Sequence, residues 1–331
     1  MRRPARIIVA VVLVIFAAAS IAGGVFVWGL SVFAAHGPLA GPATVVIAKG
    51  SGLAGIALQL EASGIISSGR VFVWAARLTG GARALRAGEY AFPARASMEA
   101  VLETLVAGRT VLRRLTVPEG LTARQIVALV EGAGGLEGSV APLPKEGSLL
   151  PETYHYAYGD PRGTLVERMR RDMGRAVAKL WADRAEGLPF DKPEEAVILA
   201  SVVEKETALP AERSRIAAVF INRLKKGMRL QSDPTVVYAL TGGRGALGRK
   251  LTRADLDVDH PYNTYRNLGL PPGPICNPGR ASLGAVLHPA KTEELYFVAD
   301  GSGGHVFAKT LAEHNRNVAE WRRVRPGGTS K

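Results

Sequence analysis

The sequence predicts an α+β protein in three parts: an N-terminal transmembrane helix, a small α/β unit, and a larger mixed α+β domain. Three observations predict it. An uncharged apolar run opens the chain. Two strand–helix patterns follow, about 70 residues apart. Beyond a Gly- and Pro-rich break, amphipathic helices precede a β-hairpin and a closing helix.

The apolar run decides the compartment. Arg2, Arg3 and Arg6 precede it, and its core from Ile7 to about Ala35 exceeds the ~20 residues that cross a bilayer as a helix. A secretory signal has an apolar region of only ~7–15 residues, although Ala34 and Ala35 resemble a cleavage site and keep a cleaved signal as the alternative. The basic residues place the N-terminus in the cytoplasm, with Trp28 and Phe33 expected at the outer interface. No later segment is long and apolar enough to return, so a single-pass anchor is expected. Residues 1–6 are read as cytoplasmic, 7–30 as the span and 31–43 as a linker.

Composition narrows the partners. The chain has 331 residues, enough for one large domain or two modest ones. A net charge of +13 favours polyanions such as nucleic acid, anionic lipid head groups or cell-wall polymers, and an ordinary Arg- and Lys-rich surface explains it equally. No Cys/His pairing and no aromatic-rich binding signature support a nucleic-acid partner. The single Cys276 allows neither an internal disulfide nor a cysteine-based zinc site. The six His residues show no ligand spacing, so no metal and no cofactor are expected.

Thr44 to Ala48 reads as a strand, and Leu53, Ile56, Ala57 and Leu60 mark one face of the helix after it. Arg114 to Val117 and then Ala123, Ile126, Val127 and Val130 repeat the pattern, with Gly120 in the place of Gly50. Thr122 and Gln125 form a capping box there. Chance similarity of two small strand–helix units is the plain alternative to duplication. Ser97 to Ala107 reads as a further helix stopped by Gly108. Units of this kind resemble LysM-like folds, which bind glycans, so residues 44–135 are expected to form a LysM-like glycan-binding subdomain. The Gly- and Pro-rich stretch from Gly132 to Gly147 is taken as the boundary before a domain over 148–325.

Asp191 to Glu206 reads as a buried helix, with Asp191 as N-cap, Glu194 completing a capping box and Pro193 in the first turn. Its body from Ala196 to Val203 is almost wholly apolar and runs into Glu204-Lys205-Glu206-Thr207. A carboxyl desolvated at the end of such a helix keeps its proton more readily and suits general-acid work. A solvated helix end is the competing reading. The next helix, Glu212 to Lys226, buries Ile216, Ala217, Phe220, Ile221 and Leu224, with Asn222 and Arg223 beside the stripe and Gly227 as its stop. Gln231-Ser232-Asp233-Pro234 reads as a polar turn. The aromatic- and proline-rich stretch around Tyr262-Asn263 and Gly269 to Ile275 suits a sugar groove, or is an ordinary surface loop. Two strands, Leu295–Ala299 and His305–Ala308, turn at Asp300 to Gly304, and a helix from Thr310 carries His314.

Several segments, in order, resemble the endolytic lytic transglycosylases of the YceG-like family. They include Glu119-Gly120-Leu121-Thr122, Leu150-Pro151-Glu152-Thr153-Tyr154 and Val203-Glu204-Lys205-Glu206-Thr207. Phe220-Ile221-Asn222-Arg223-Leu224, Leu230-Gln231-Ser232-Asp233-Pro234-Thr235, Tyr262-Asn263-Thr264-Tyr265 and Gly269-Leu270-Pro271-Pro272-Gly273 follow. The resemblance implies a lytic-transglycosylase catalytic domain in a bacterial inner-membrane protein, facing the periplasm. It implies that Glu204 is catalytic and cuts nascent peptidoglycan glycan strands at the MurNAc–GlcNAc bond, leaving a 1,6-anhydro end. It further implies sugar positioning by Tyr262 and Asn263, with Gln231, Ser232, Asp233 and Asn222 as further substrate-binding candidates and peptidoglycan synthases as neighbours. A hydrolytic muramidase using Glu204 and Asp233, and a non-catalytic wall-binding scaffold, are the alternatives.

Overall fold

A computed structural model describes residues 3–324, with side chains described from residue 7 to residue 323. Arg2, the side chains of Arg3 and Arg6, and residue 325 therefore lie outside the described residues. The described residues fold as two compact units, residues 3–113 with 157–159, and residues 114–156 with 160–324.

The first unit begins with α1 (Arg3–Ala34). Its Ile7–Ala34 stretch has a mean hydropathy of 2.7, is exposed from Ile7 to Trp28, and is long and apolar enough to cross a membrane. The helix outruns the expected span end at residue 30, because nothing between Leu30 and Ala34 breaks a helix. Strand β1 (Ala43–Ile47) leads to α2 (Leu53–Ala62) and α3 (Gly69–Leu78), and then to β2 (Gly88–Phe92) and α4 (Met98–Ala107). β2 pairs antiparallel with β1, Val45 facing Tyr90. Ser68 and Ser97 cap α3 and α4 through their hydroxyls, and Gly108 ends α4 at φ +66°. The helical period of α3 is masked in sequence by Val71, Phe72, Val73 and Trp74, a run with strand-like composition.

The core of this unit gathers Val45, Ile47, Leu60, Phe72, Tyr90 and Leu105. Phe33, expected at the membrane interface, belongs to that core and is 6% exposed. It is placed there because the last turn of α1 packs on α4, whereas Trp28 stays exposed.

The second unit holds β3 (Leu112–Thr116) beside β4 (Thr153–Ala157), with α5 (Ala123–Gly132) between them in sequence. The expected capping box closes α5: the Thr122 hydroxyl accepts from the Gln125 amide, and the Gln125 side chain accepts from the Thr122 amide. The units divide at Arg113/Arg114, not in the Gly- and Pro-rich stretch. That stretch is bound to its surroundings instead. The Arg162 guanidinium donates to the carbonyls of Val130, Glu131 and Gly138, and α5 shares a core with Tyr154, Leu165 and Met169. The second strand–helix pattern thus belongs with the helices that follow it.

Those helices are α6 (Arg162–Ala182), α7 (Pro193–Glu206), α8 (Arg213–Lys225), α9 (Asp233–Thr241), the one-turn α10 (Arg253–Leu256) and α11 (Arg280–Leu287). The hairpin β5 (Tyr296–Ala299) and β6 (His305–Ala308) precedes α12 (Leu311–Val324). The cap of α7 is one residue later than expected. Lys192 is the N-cap, and the Glu195 carboxylate accepts from the Asp191 and Lys192 amides at 2.9 and 3.1 Å. α7 is the hub, packed by α8 and α11 through Leu199, Val202, Ile216, Phe220, Leu283 and Val286, all at most 1% exposed. The supposed polar turn at Ser232-Asp233 is the N-terminus of α9, Pro234 fitting its first turn.

Phe33→Ala should cost the first unit about 3–5 kcal/mol, the usual loss for a buried aromatic. Thermal melts in detergent would show a large drop for that variant and almost none for Trp28→Ala.

Candidate active site: a carboxyl pair at the end of a buried helix

α7 is enclosed along its body from Ala196 to Val203 and opens at its first and last turns. The Ser201 hydroxyl donates to the Ile198 carbonyl and accepts from the Ile275 amide, so segment 275–279 is laid along the helix. Gly279, the N-cap of α11, then donates its amide to Glu204 Oε2 at 2.8 Å. The Glu204 side chain is 5% exposed. Its other oxygen lies 3.6 Å from Arg213 Nη2, at the first residue of α8.

The same guanidinium nitrogen donates to Glu119 Oε2 at 3.2 Å. Glu119 arrives on the loop 118–122, which is strapped to residue 277. The Gly120 amide donates to the Asn277 carbonyl at 3.1 Å, and the Asn277 amide to the Leu121 carbonyl at 2.8 Å. The fully buried Asn277 side chain also reaches the Leu121 carbonyl, the Glu146 carboxylate and the Leu149 amide. Burial pushes the Glu119 carboxyl above its ordinary range, the neighbouring Glu204 charge and a hydrogen bond to Glu204 add to that, and Arg213 opposes it. Two acids thus face each other across one arginine. The Glu119 side chain is 40% exposed, and the Arg213 Nε is buried without a partner.

Gly279 makes the approach possible. A Cβ there would stand 1.7 Å from Glu119 Oε1. A side chain on the residue that binds Glu204 through its backbone would therefore push the Glu119 carboxyl from its place.

A cavity of about 1100 Å³ lies beside this pair. Gly120 and Lys205, the chain neighbours of the two acids, line it together with Thr122, Asp233, Tyr238 and the segment 245–251. Neither acid's carboxyl is part of the cavity wall.

The other expected substrate residues are placed variously. Tyr262 packs against Tyr238, with ring centroids 4.8 Å apart, and so backs the cavity wall. Asn263 is wholly buried. Its amide nitrogen donates to the Leu256 and Val258 carbonyls, and its oxygen accepts from the Tyr265 amide. Asn222 donates to the Thr292 and Glu294 carbonyls, and Gln231 stands at φ +54° with its side chain towards Arg223. Arg223, read as flanking its helix, is buried and donates to the Leu230 and Leu295 carbonyls. Asp233 reaches the cavity and accepts from the Tyr265 hydroxyl at 2.6 Å. Ser232 donates to Glu206 at 2.5 Å. Burial pushes the Glu206 carboxyl up to about 7, Ser232 resists this, and Asp233 adds to it. His305 pairs with Glu212 at 2.7 Å, and His314 stacks on Tyr296. Among the described residues no group of His, Cys, Asp or Glu has the arrangement of a metal site.

With this geometry in view, the chain belongs to the YceG-like family, whose profile it matches over residues 45–320. The endolytic murein transglycosylase of Bacillus subtilis (strain 168) is 33% identical over 334 aligned positions, covering 89% of each chain. That of Streptococcus pneumoniae (strain D39) is 31% identical over 326 positions, which cover 84% of this chain and 58% of the relative. Among solved structures, a yceG-like protein from Listeria monocytogenes matches with a TM-score of 0.52 and 32% identity, over 83% of this chain and 98% of that one.

Two predictions test the geometry. Gly279→Ala should displace Glu119 and lower cell-wall cleavage at least tenfold, while Gly284→Ala, in the same helix with open space around its Cβ position, should leave it unchanged. Glycan-release assays on both variants decide this. Glu206 is a raised acid, so its contribution is fully present below the unfolded value of 4.5 and is lost as pH rises through about 7. Glu206→Gln keeps an acceptor for Ser232 without that loss. Its stability relative to wild type, measured by urea melts, should improve by about 1–3 kcal/mol from pH 4.5 to pH 8.

Proposed function

We propose that the protein is an endolytic peptidoglycan lytic transglycosylase in which Glu204 is the acid and base. The observation that carries the reading is the enclosed Glu204 carboxyl, fixed by the Gly279 amide and Arg213 and facing the raised Glu119 carboxyl. The names of the relatives agree with it. Glu204 donates its proton to the glycosidic oxygen as the C1–O bond of N-acetylmuramic acid breaks. The 6-hydroxyl of the same sugar attacks C1, and its proton returns to the Glu204 carboxylate. No water is consumed and the catalyst is restored. The intramolecular nucleophile supplies the proximity that a positioned water would otherwise need. Glu119, whose raised carboxyl sits beside Glu204 on the same guanidinium, supports this cycle as a second acid close to the first. The Arg213 charge lies beside both carboxyls and offsets the negative charge left when the proton is given up.

The hydrolytic alternative needs two carboxyls on either side of the sugar, about 5–9.5 Å apart. Glu119 and Glu204 converge on one Arg213 nitrogen, at 3.2 and 3.6 Å, and neither carboxyl lines the cavity. Asp233 is engaged by Tyr265.

The α1 helix is read as a single-pass anchor with its N-terminus cytoplasmic, supported by its length and apolar composition. The remainder then faces the periplasm. The order β1-α2-α3-β2 supports a LysM-like reading of the first unit.

Mass spectrometry of peptidoglycan digests tests the chemistry. Wild type should release 1,6-anhydro ends, and Glu204→Gln should lower the rate ~10²–10⁴-fold, the usual range for lost acid–base catalysis. Reducing ends from wild type would mark a hydrolase instead. Glu119→Gln keeps a hydrogen-bond donor but cannot exchange a proton, so it should lower kcat more than KM and flatten the acidic limb of the pH profile. An unaltered profile would remove Glu119 from the cycle.

A further inference from the structure

We propose that the groove between α2 and α3, continued along the outer end of α1, binds an anionic phospholipid of the membrane's outer leaflet. The proposal rests on the reading of α1 as a membrane span.

Depth comes first. About 20 residues from Ile7, at 1.5 Å per residue, cross the ~30 Å hydrocarbon core and end near Phe26. α3 joins α1 at that level. The Trp74 ring meets Phe26 edge to face, with centroids 5.4 Å apart. A Cβ on Gly29 would lie 3.1 Å from the same Trp74 ring, tight enough that the ring would have to shift by a few tenths of an ångström. Gly29 is buried, whereas the side chains of α1 before it are exposed. Trp74 is therefore held where hydrocarbon gives way to head groups, the depth at which tryptophan is favoured.

Two cavities meet at this point and share Arg70 and Trp74. One, about 450 Å³, lies between α1 and α3 and is lined by Ala22, Val25, Phe26 and Val71. The other, about 730 Å³, lies between α2 and α3 and is lined by Leu58, Val73, Arg77 and Leu78. Leu58 and Leu78 are 68% and 57% exposed, a cost in water that bilayer contact removes. Arg70 and Arg77 are exposed and two helical turns apart, so they lie on one face of α3. Among the described residues, Glu61 is the one acid in the groove, against these two arginines. Guanidinium groups pair with phosphate through paired hydrogen bonds, and their long stems can rest on apolar surface. An acyl chain fits along α1 and α3, with its phosphate at Arg70 and Arg77.

The test uses the full chain reconstituted in vesicles of phosphatidylcholine containing a minor fraction of brominated lipid. Bromine quenches tryptophan only at short range, and subtracting the signal of Trp74→Phe isolates Trp74. Brominated phosphatidylglycerol should quench Trp74 at least twofold more than brominated phosphatidylcholine at the same mole fraction. The double variant Arg70→Gln/Arg77→Gln should erase that excess while leaving the quenching common to both lipids. Equal quenching by the two lipids in wild type would sink the site, as would no quenching of Trp74. So would loss of the excess on adding isolated glycan strands, which would assign the groove to sugar. Extraction by alkaline carbonate separates the two readings. A chain that is extracted has no membrane span, and the failure then lies with the anchor.

Discussion

The structure of the second unit turns on one requirement: a carboxyl at the end of a nearly all-apolar helix must be given partners that do not belong to the helix. The last turn of α7 has no basic residue aimed back at Glu204, and the Lys205 ammonium reaches the Gly120 carbonyl instead. The partners come from elsewhere in the chain. Gly279 supplies an amide at the start of α11, Arg213 a guanidinium at the start of α8, and the loop at 118–122 brings the second acid. Each source is itself held by burial. α8 and α11 are locked on α7 by the central core, and the loop is tied to Asn277, whose every polar group is occupied. A wholly satisfied buried amide of this sort fixes geometry because any displacement leaves donors or acceptors unpaired at about 1–3 kcal/mol each.

Much of this architecture was legible in the sequence because it is periodic. The apolar faces of α2, α5, α7 and α8, the Thr122–Gln125 box and the hairpin at Asp300 to Gly304 follow from local rules. Glu204 stood out as the acidic end of a buried run. What local rules missed has a common physical character. Gly279 acts through its backbone amide and its absent Cβ, and neither leaves a mark that distinguishes it from any other glycine. Glu119 lay in a recognised segment, but its partners, Arg213 and Glu204, lie far along the chain. Conversely, Asn263 looks like a sugar ligand by residue type, yet it is wholly buried and its side chain is taken up by the Leu256 and Val258 carbonyls and the Tyr265 amide. Amides are as useful for tying irregular backbone as for holding hydroxyls, and only burial tells the two uses apart.

The acids of this region differ in environment, and that difference argues for a division of labour. Glu206 follows Glu204 by two residues, so the helix turns it to a different side, where Ser232 is its partner. Burial raises it, but no second acid shares its proton and its hydroxyl partner is the N-cap of α9. Such a group behaves as a structural acid whose protonation couples α7 to α9. Glu119 is raised as well, but with an exposed edge, a second carboxyl in contact and an arginine between them. Its carboxyl and that of Glu204 meet at one guanidinium, so the charge on either bears on the other. Transglycosylation asks for this property more than hydrolysis does. The same carboxyl must give a proton to one oxygen and take it from another within a single sugar, with no bulk water to reset it. In the proposed cycle a second carboxyl close by opposes the negative charge that Glu204 acquires when it gives up its proton, and Arg213 offsets that charge.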